Sequence, residues 1–483
     1  MGYERRETAR QTSALRLSQS GCLLTLTLLV LALLASPART ASLGDPYYPK
    51  LGNRGYDVSA YDIALTYNPA RSTIAGATTI VATSTSPLSE VALDFARFRV
   101  GQVTVDGVDA ASRLVHGKLV VVPATPLAAG VVFTIRVPYR GTPRAINDPS
   151  APSRIGWIGR GDLTYVVSEP SGAHTWFPVN DHPSDKATYE IRVTVPSRLK
   201  ALSNGRLLGS APAGAGLTTW SWSESAPMAS YLATVVIGRY KIAEQPGPTG
   251  VPILNAYYKR PSRTERRVLS KGVPRIIRYF SGLFGTYPFD SVGVIVLPDV
   301  GPLAIETQTR PLISSRLIRS DRYDVLAHEL AHQWFGDAVS PATWRDIWLN
   351  EGFATYADWL WQAHAGGVPI RRQIRFTYDY LRGALDIPPA NPGAKHLFGT
   401  SVYFRGALAL QALRNRVGDR AFFAIFREWV DRYKGGVATT AQFITLAEQI
   451  AGRPLASRLR PWLYARRLPS RERLAWQGGR DTD

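Results

Sequence analysis

The chain has 483 residues, of which 45% are hydrophobic and 19% charged, and its formal net charge is +20. That length calls for two or three domains, and that composition excludes an intrinsically disordered protein. Gly (41) and Pro (34) are frequent but follow no period, which excludes collagen-like and repeat architectures.

The chain opens with Arg5, Arg6, Arg10 and Arg16, and then runs uncharged from Gly21 to Ala35, followed by small residues. A basic start, an apolar stretch and a small-residue end predict a secretory signal peptide over residues 1–38, cut after Ala38. The alternative is a retained anchor, but the apolar run is shorter than the ~20 residues a spanning helix needs, so no transmembrane span is expected in the mature chain. Cys22 is the only cysteine, and cleavage would remove it. Thiol catalysis and zinc–thiolate fingers are thereby excluded, and stability must come from a core rather than from disulfides. The positive charge includes clusters such as Lys259–Arg267 without a nucleic-acid motif. The expectation is no nucleic-acid partner, with a loose association with anionic envelope polymers as the stronger idea.

Residues 39–245 read as a β-rich domain. YDVSAYDIALTYN, ATTIVATST, KLVVVPA, VVFTIRVPY, YEIRVTVP and YLATVVIG carry period-two or β-branched patterning, with Gly, Pro, Asn and Asp between them. Many antiparallel strands are predicted. The character changes near Gly247–Ile253, and after the apolar stretch Ser291–Val300 helices are predicted over Tyr323–Phe335, Asn350–Ala363, Ser401–Arg416, Arg420–Tyr433 and Thr440–Ile450. Residues 246–468 thus form a second, mainly helical α+β domain, and 469–483 a frayed tail.

Within the first of these helices stands LAHELAHQWFGD. Residues four apart project from one face of a helix, so His328 and His332 can offer imidazole nitrogens to one cation. Glu329 points about a quarter turn away, out of comfortable reach of the ion but within reach of a water it holds. That is the geometry of a zinc-activated water beside a general base. The alternative is a helix with solvated or capped histidines. Zinc needs a third ligand, and Glu351 in WLNEGFATYADWLW supplies a candidate: Gly336 and Pro341 break the first helix, and a second helix running back would bring Glu351 to the histidine face. The alternative there is a surface glutamate stabilised by the helix dipole.

H-E-x-x-H followed by 18 residues and a Glu in WLNEGFA resembles the gluzincin aminopeptidases of the aminopeptidase N family, peptidase family M1. The resemblance runs from about Tyr56 to Trp462 and takes in VNDHPSDKATYEI and VYFRGALAL. It implies an α+β fold with an antiparallel, saddle-like β domain ahead of a thermolysin-like zinc catalytic domain, and one Zn2+ per chain on His328, His332 and Glu351 with Glu329 as base. Where the family has G-A-M-E-N, this chain has LAIET, Leu303 to Thr307. The resemblance makes Glu306 the anchor for a peptide's amino terminus, while Leu303, Ile305 and Thr307 depart from the pattern. Read from the residues, PLAIETQT after an apolar strand offers backbone at Ala304 for pairing with an extended peptide. Glu169 matches a second acidic anchor, and otherwise reads as a turn-capping glutamate before Pro170. Tyr403 matches a transition-state tyrosine and by its own pattern reads as core; Arg405 replaces the family's usual lysine.

The implied activity is hydrolysis of the N-terminal bond of peptides with a free N-terminus. Long relatives continue into further domains that roof the site, so a short two-domain form with a more open cleft is expected here. Two rivals remain open: a zinc hydrolase of another bond, since leukotriene hydrolases share this frame, and a peptide-binding scaffold without catalysis.

Overall fold

A computed structural model describes residues 42–320, 323–384 and 387–474. The signal-peptide expectation, with Arg5, Arg6, Cys22 and Ala38, lies outside the described residues. No helix among the described residues is long and apolar enough to cross a membrane.

The strand Tyr56–Asn68 shows how pattern becomes register. Tyr56 and Val58 face inward, then Tyr61, Ile63, Leu65 and Tyr67 do. The two runs are out of phase by one residue, and a bulge between Val58 and Ala60 in the pairing with Thr73–Ser84 absorbs the slip. Without it one run would turn to the opposite face. This strand is central in an eleven-stranded sheet ordered Arg206–Pro212, Leu217–Ala229, Lys186–Pro196, Tyr56–Asn68, Thr73–Ser84, Val132–Gly141, Val103–Val105, Val108–Val115, Lys118–Val122 and Val91–Asp94, with Arg99–Val100 off the path. The antiparallel expectation has one exception inside this sheet. Tyr56–Asn68 and Lys186–Pro196 run parallel, Ile63 opposite Ile191. A long excursion separates these two strands in sequence, which is what a parallel neighbour requires.

A four-stranded sheet, ordered Lys200–Ser203, Val235–Gly238, Leu163–Val167 and Gly156–Arg160, stands apart from the large one. Its strand Leu163–Val167 ends two residues before Glu169. Within predicted YLATVVIG only Val235–Gly238 is strand, because Ser230–Leu232 forms a short 3-10 turn. A mixed five-stranded sheet follows, ordered Tyr240–Gln245, Ile253–Tyr258, Ile295–Leu297, Leu312–Ser314 and Ala304–Ile305. The first two of these pair as a hairpin, Ile242 opposite Ala256. The division expected between residues 245 and 246 therefore cuts a hairpin, and the five-stranded sheet begins at Tyr240. The composition change at Gly247 falls in the turn of that hairpin.

The helices are held by aromatic rings. Phe335 lies 4.8 Å from Phe353 and 5.0 Å from Phe284, Phe353 lies 4.9 Å from Phe426 and 5.1 Å from Phe443. Such pairs add about 0.5–1.5 kcal/mol each to the burial of their area. Phe335 follows His332 by three residues and Phe353 follows Glu351 by two, so the same cluster fixes both halves of the histidine–glutamate constellation. The tail expected from residue 469 is docked as far as Leu474: Tyr378 Oη donates to Pro469 O at 2.9 Å, and Asn415 Nδ2 to Leu474 O at 2.8 Å.

Candidate active site

The helix Tyr323–Ala331 buries Leu326, Ala327, Leu330 and Ala331 on one stripe. It ends four residues short of the expected Phe335, because the chain turns into Gly336, whose φ of 123° suits glycine. His332 sits just past the helix end, yet its N–H still donates to His328 O at 3.3 Å, so the four-residue spacing keeps both imidazoles on one side. Their rings are 4.8 Å apart. His332 Nδ1 lies 3.1 Å from Phe335 O, an arrangement that leaves Nε2 for another partner.

The chain then crosses a short strand, Val339–Pro341, and returns as the helix Trp348–His364. Trp348, Leu349, Phe353 and Tyr356 bury it, Trp348 Nε1 donates to Thr440 Oγ1 at 2.8 Å, and Glu351 in its first turn is buried. Glu351 Oε2 lies 3.4 Å from His328 Nε2 and 3.6 Å from His332 Nε2, with no hydrogen-bond partner among the described residues. Two donors bound ~2.1 Å from one ion at the tetrahedral angle stand about 3.4 Å apart. Both spacings from Glu351 to the imidazoles therefore fit a small tetrahedral ion, and the buried, unsatisfied Glu351 oxygen is an atom such an ion would satisfy. All three ligand atoms lie within 4.8 Å of one another, a set to which Glu329 does not belong.

Glu329, Glu306 and His332 form a second group within the same 4.8 Å limit, and Glu169, Glu306 and Glu351 a third. The structure thus brings together all the residues singled out from the sequence except Ala304, which lies in the adjoining strand. Four buried carboxyl groups crowd around two imidazoles. Burial pushes Glu169 and Glu329 well above the usual carboxylate range, and neighbouring carboxylates add to it. Glu306 is also raised by burial, with His332 opposing. Glu351 goes the other way: burial disfavours its charge, but His332 and His328 outweigh burial and hold it at about 2. Burial lowers His328, while at His332 the surrounding Glu306, Glu351 and Glu329 overcome burial and raise it. One oxygen each of Glu169 and Glu306 is buried without a hydrogen-bond partner among the described residues.

Tyr403 stands beside His328. Its ring lies 6.0 Å from His328, nearly parallel to it, and burial beside these carboxylates keeps its phenol protonated. The helix expected over Ser401–Arg416 begins as a wide π-turn, Ser401–Arg405, before the regular helix Gly406–Val417. The wider turn lets Tyr403 lie beside His328 while Arg405, buried, donates to a crown of carbonyls including Trp462 O, Pro461 O and Arg466 O at 2.8–2.9 Å. Ala304 and Ile305 form the outermost strand of the five-stranded sheet, paired on one edge with Ile313 and Leu312.

Gln333 is a supporting residue that the motif reading passes over. Its Nε2 donates to Asp337 Oδ2 at 2.7 Å and to Glu306 O at 3.3 Å, and its Oε1 accepts from Thr309 N at 2.7 Å. It ties the Glu306 strand end to the histidine turn. Tyr231 is another: its Oη donates to Gly336 O at 3.0 Å and accepts from Asn350 Nδ2 at 3.2 Å, joining the β domain to both metal-facing segments. Gln333 was signalled only by its place beside His332, and Tyr231 by nothing in the sequence.

Comparisons with known proteins agree with this layout. Residues 58–232 match the peptidase M1 N-terminal domain and residues 271–462 the peptidase family M1 domain. An M1 zinc metallopeptidase from Deinococcus radiodurans is 35% identical with a TM-score of 0.82, over 89% of this chain and 98% of that one. A mutant of an M1 zinc metallopeptidase from the same organism, bound to a Tyr-Ser-Ala substrate, gives 35% and 0.83 over 89% and 99%. The glutamyl aminopeptidase of Bitis rhinoceros is 25% identical over 332 residues, 62% of this chain and 34% of that protein, so the chain spans about a third of the length of such curated relatives. Both domains, in order and over most of the described residues, place the chain in peptidase family M1.

Proposed function

We propose that the chain is a zinc-dependent aminopeptidase that hydrolyses the first bond of peptides with a free amino terminus. One observation carries the reading: a two-imidazole, one-carboxylate donor set lies beside two buried, unsatisfied carboxylate oxygens on Glu169 and Glu306. His328, His332 and Glu351 would hold the ion, leaving a position for water. Zinc, when bound, supplies Lewis acidity toward water and the peptide carbonyl. The buried oxygens of Glu169 and Glu306 are matched by an α-ammonium, which would relieve their mutual repulsion. Two carboxylates around one ammonium select a free amine and disfavour internal segments, which turns an endopeptidase arrangement into an exopeptidase one. The free edge at Ala304 pairs with the extended peptide backbone. Glu329 takes the proton of the attacking water and passes it to the leaving amine. The Tyr403 phenol donates to the carbonyl oxygen as negative charge develops there.

The names of the relatives support the same chemistry. Release of a chromophore from amino-acid anilides, with and without a chelator, tests it. Chelator-sensitive release from free-amine anilides, and none from N-acetylated ones, is expected; metal-independent release, or equal cleavage of the blocked substrate, refutes it. We also infer export, on the basic start and apolar stretch within residues 1–38, which the N-terminal sequence of secreted protein would test: a mature chain beginning at Arg39 is expected.

A further inference from the structure

The helix Ile370–Leu381 buries Gln373, Thr377, Tyr378 and Leu381 and turns another row outward. Arg372, Phe376 and Tyr380 are spaced four apart and so line one face. Phe376 is 73% exposed and Tyr380 51%. Single exposed apolar residues need no explanation, but this row adjoins the active site. The Tyr380 ring meets Phe404 edge-on at 5.9 Å, and Phe404 follows Tyr403, whose ring faces His328. The aromatic row therefore leads outward from the phenol assigned to the scissile carbonyl. Within the constellation His332 lies 3.8 Å from Glu306. With the amino terminus held at Glu306 and Glu169 and the carbonyl at the Tyr403 phenol, the residues past the cleaved bond have this row beside them.

We propose that Phe404, Tyr380 and Phe376 form a shelf for the residues of a substrate downstream of the cleaved bond. The substrate class it favours is a peptide of several residues, with aromatic or aliphatic side chains past the first position and a free carboxylate at its end. Arg372 stands at the far end of the row, next to exposed Arg375; Asp379, also exposed, is the one acidic residue of this helix. From Tyr380 to Arg372 the helix rises about 12 Å, and an extended peptide covers that in about four residues. The carboxylate of a peptide of about six residues would then reach Arg372. This proposal rests on the aminopeptidase reading above and adds the length and chemistry of its substrate.

The test measures kcat/KM on leucine anilide and on a Leu-initiated series from dipeptide to octapeptide, for wild type, Phe376→Ala, Tyr380→Ala and Arg372→Ala. In wild type, kcat/KM rises with length and levels off near six residues. Each ring removal lowers the octapeptide-to-anilide ratio about five-fold, the effect of one aromatic contact. Arg372→Ala lowers kcat/KM for the hexapeptide with a free carboxylate and not for its C-terminal amide. A flat length profile with active anilide hydrolysis overturns the shelf while leaving the aminopeptidase standing; failure to cleave any member of the series overturns both. Ring variants that lose the same factor on anilide and octapeptide also overturn it. So do ring variants that keep the wild-type ratio but change oligomeric state or vesicle binding, which would give this face to another partner.

Discussion

Gly352 and Gly406 face each other where the helix carrying Glu351 crosses the one that follows Tyr403. A Cβ on Gly406 would stand 3.0 Å from Gly352 Cα and 3.5 Å from Trp348 Cε3; one on Gly352 would stand 3.0 Å from the Gly406 backbone. Carbon atoms in ordinary contact are about 3.5–4.0 Å apart, so Gly406→Ala must push the two helices apart by about 0.5–1 Å. The atoms it meets are backbone and a buried indole, which cannot swing aside as a flexible side chain would. Overpacking of this kind costs about 1–3 kcal/mol. The displacement is carried to Glu351, next to Gly352, and to Tyr403, three residues before Gly406. A misplacement of this order lowers kcat by about 10- to 100-fold. The assay is chemical denaturation together with anilide turnover, using Gly282→Ala as the control. Gly282 lies exposed in the helix Val273–Phe284 with nothing within 4 Å of an added Cβ, so alanine there stabilises by about 0.4–1 kcal/mol and leaves turnover alone. Wild-type stability and kcat in Gly406→Ala would refute the reasoning that this close crossing sets the site's dimensions.

Tyr403→Phe should lower kcat by about 10²- to 10³-fold with metal content unchanged, since it removes one donor to the developing oxyanion; steady-state kinetics beside metal analysis would show it. Glu306→Gln should lower kcat/KM on free-amine substrates by about 10²-fold, the loss expected when one partner of a buried charge pair is neutralised, and an anilide panel would measure it. Glu224 is buried, and burial raises its pKa to about 7 against 4.5. The folded chain thus keeps a proton that the unfolded chain releases. The stability from this group is full below about pH 4.5 and falls by about 3 kcal/mol as pH rises to 7. Glu224→Gln removes that decline, so its Tm should gain on wild type between pH 5 and 7.5 in thermal melts.

Legibility followed physical range. The strand Tyr56–Asn68 and the helices around Glu329 and Glu351 could be read because their apolar spacing is local, and the metal donors because two imidazoles four apart carry chemistry at any burial. Less legible was whatever depends on distant partners. The parallel pairing of Ile63 with Ile191 needs a neighbour far along the chain. The hairpin from Tyr240 to Tyr258 was split by the expected domain boundary because the composition changes at its turn, Gly247–Pro252. Tyr403 has a core tyrosine's pattern, and only resemblance separated it from the core. Gln333 and Tyr231 act by hydrogen bonds to backbone and amide groups of other segments, which leave no periodic trace. The exposure of Phe376 is a tertiary fact, invisible in IRRQIRFTYDYL.

The central claim is that His328, His332 and Glu351 hold one zinc ion while Glu329 stays off it and moves the proton. Metal content and anilide turnover of Glu329→Gln, measured on the same sample, test this most directly. The account predicts one zinc per chain and turnover lowered by about 10³-fold or more. A variant that has lost its zinc, or that still turns over near the wild-type rate, would contradict it.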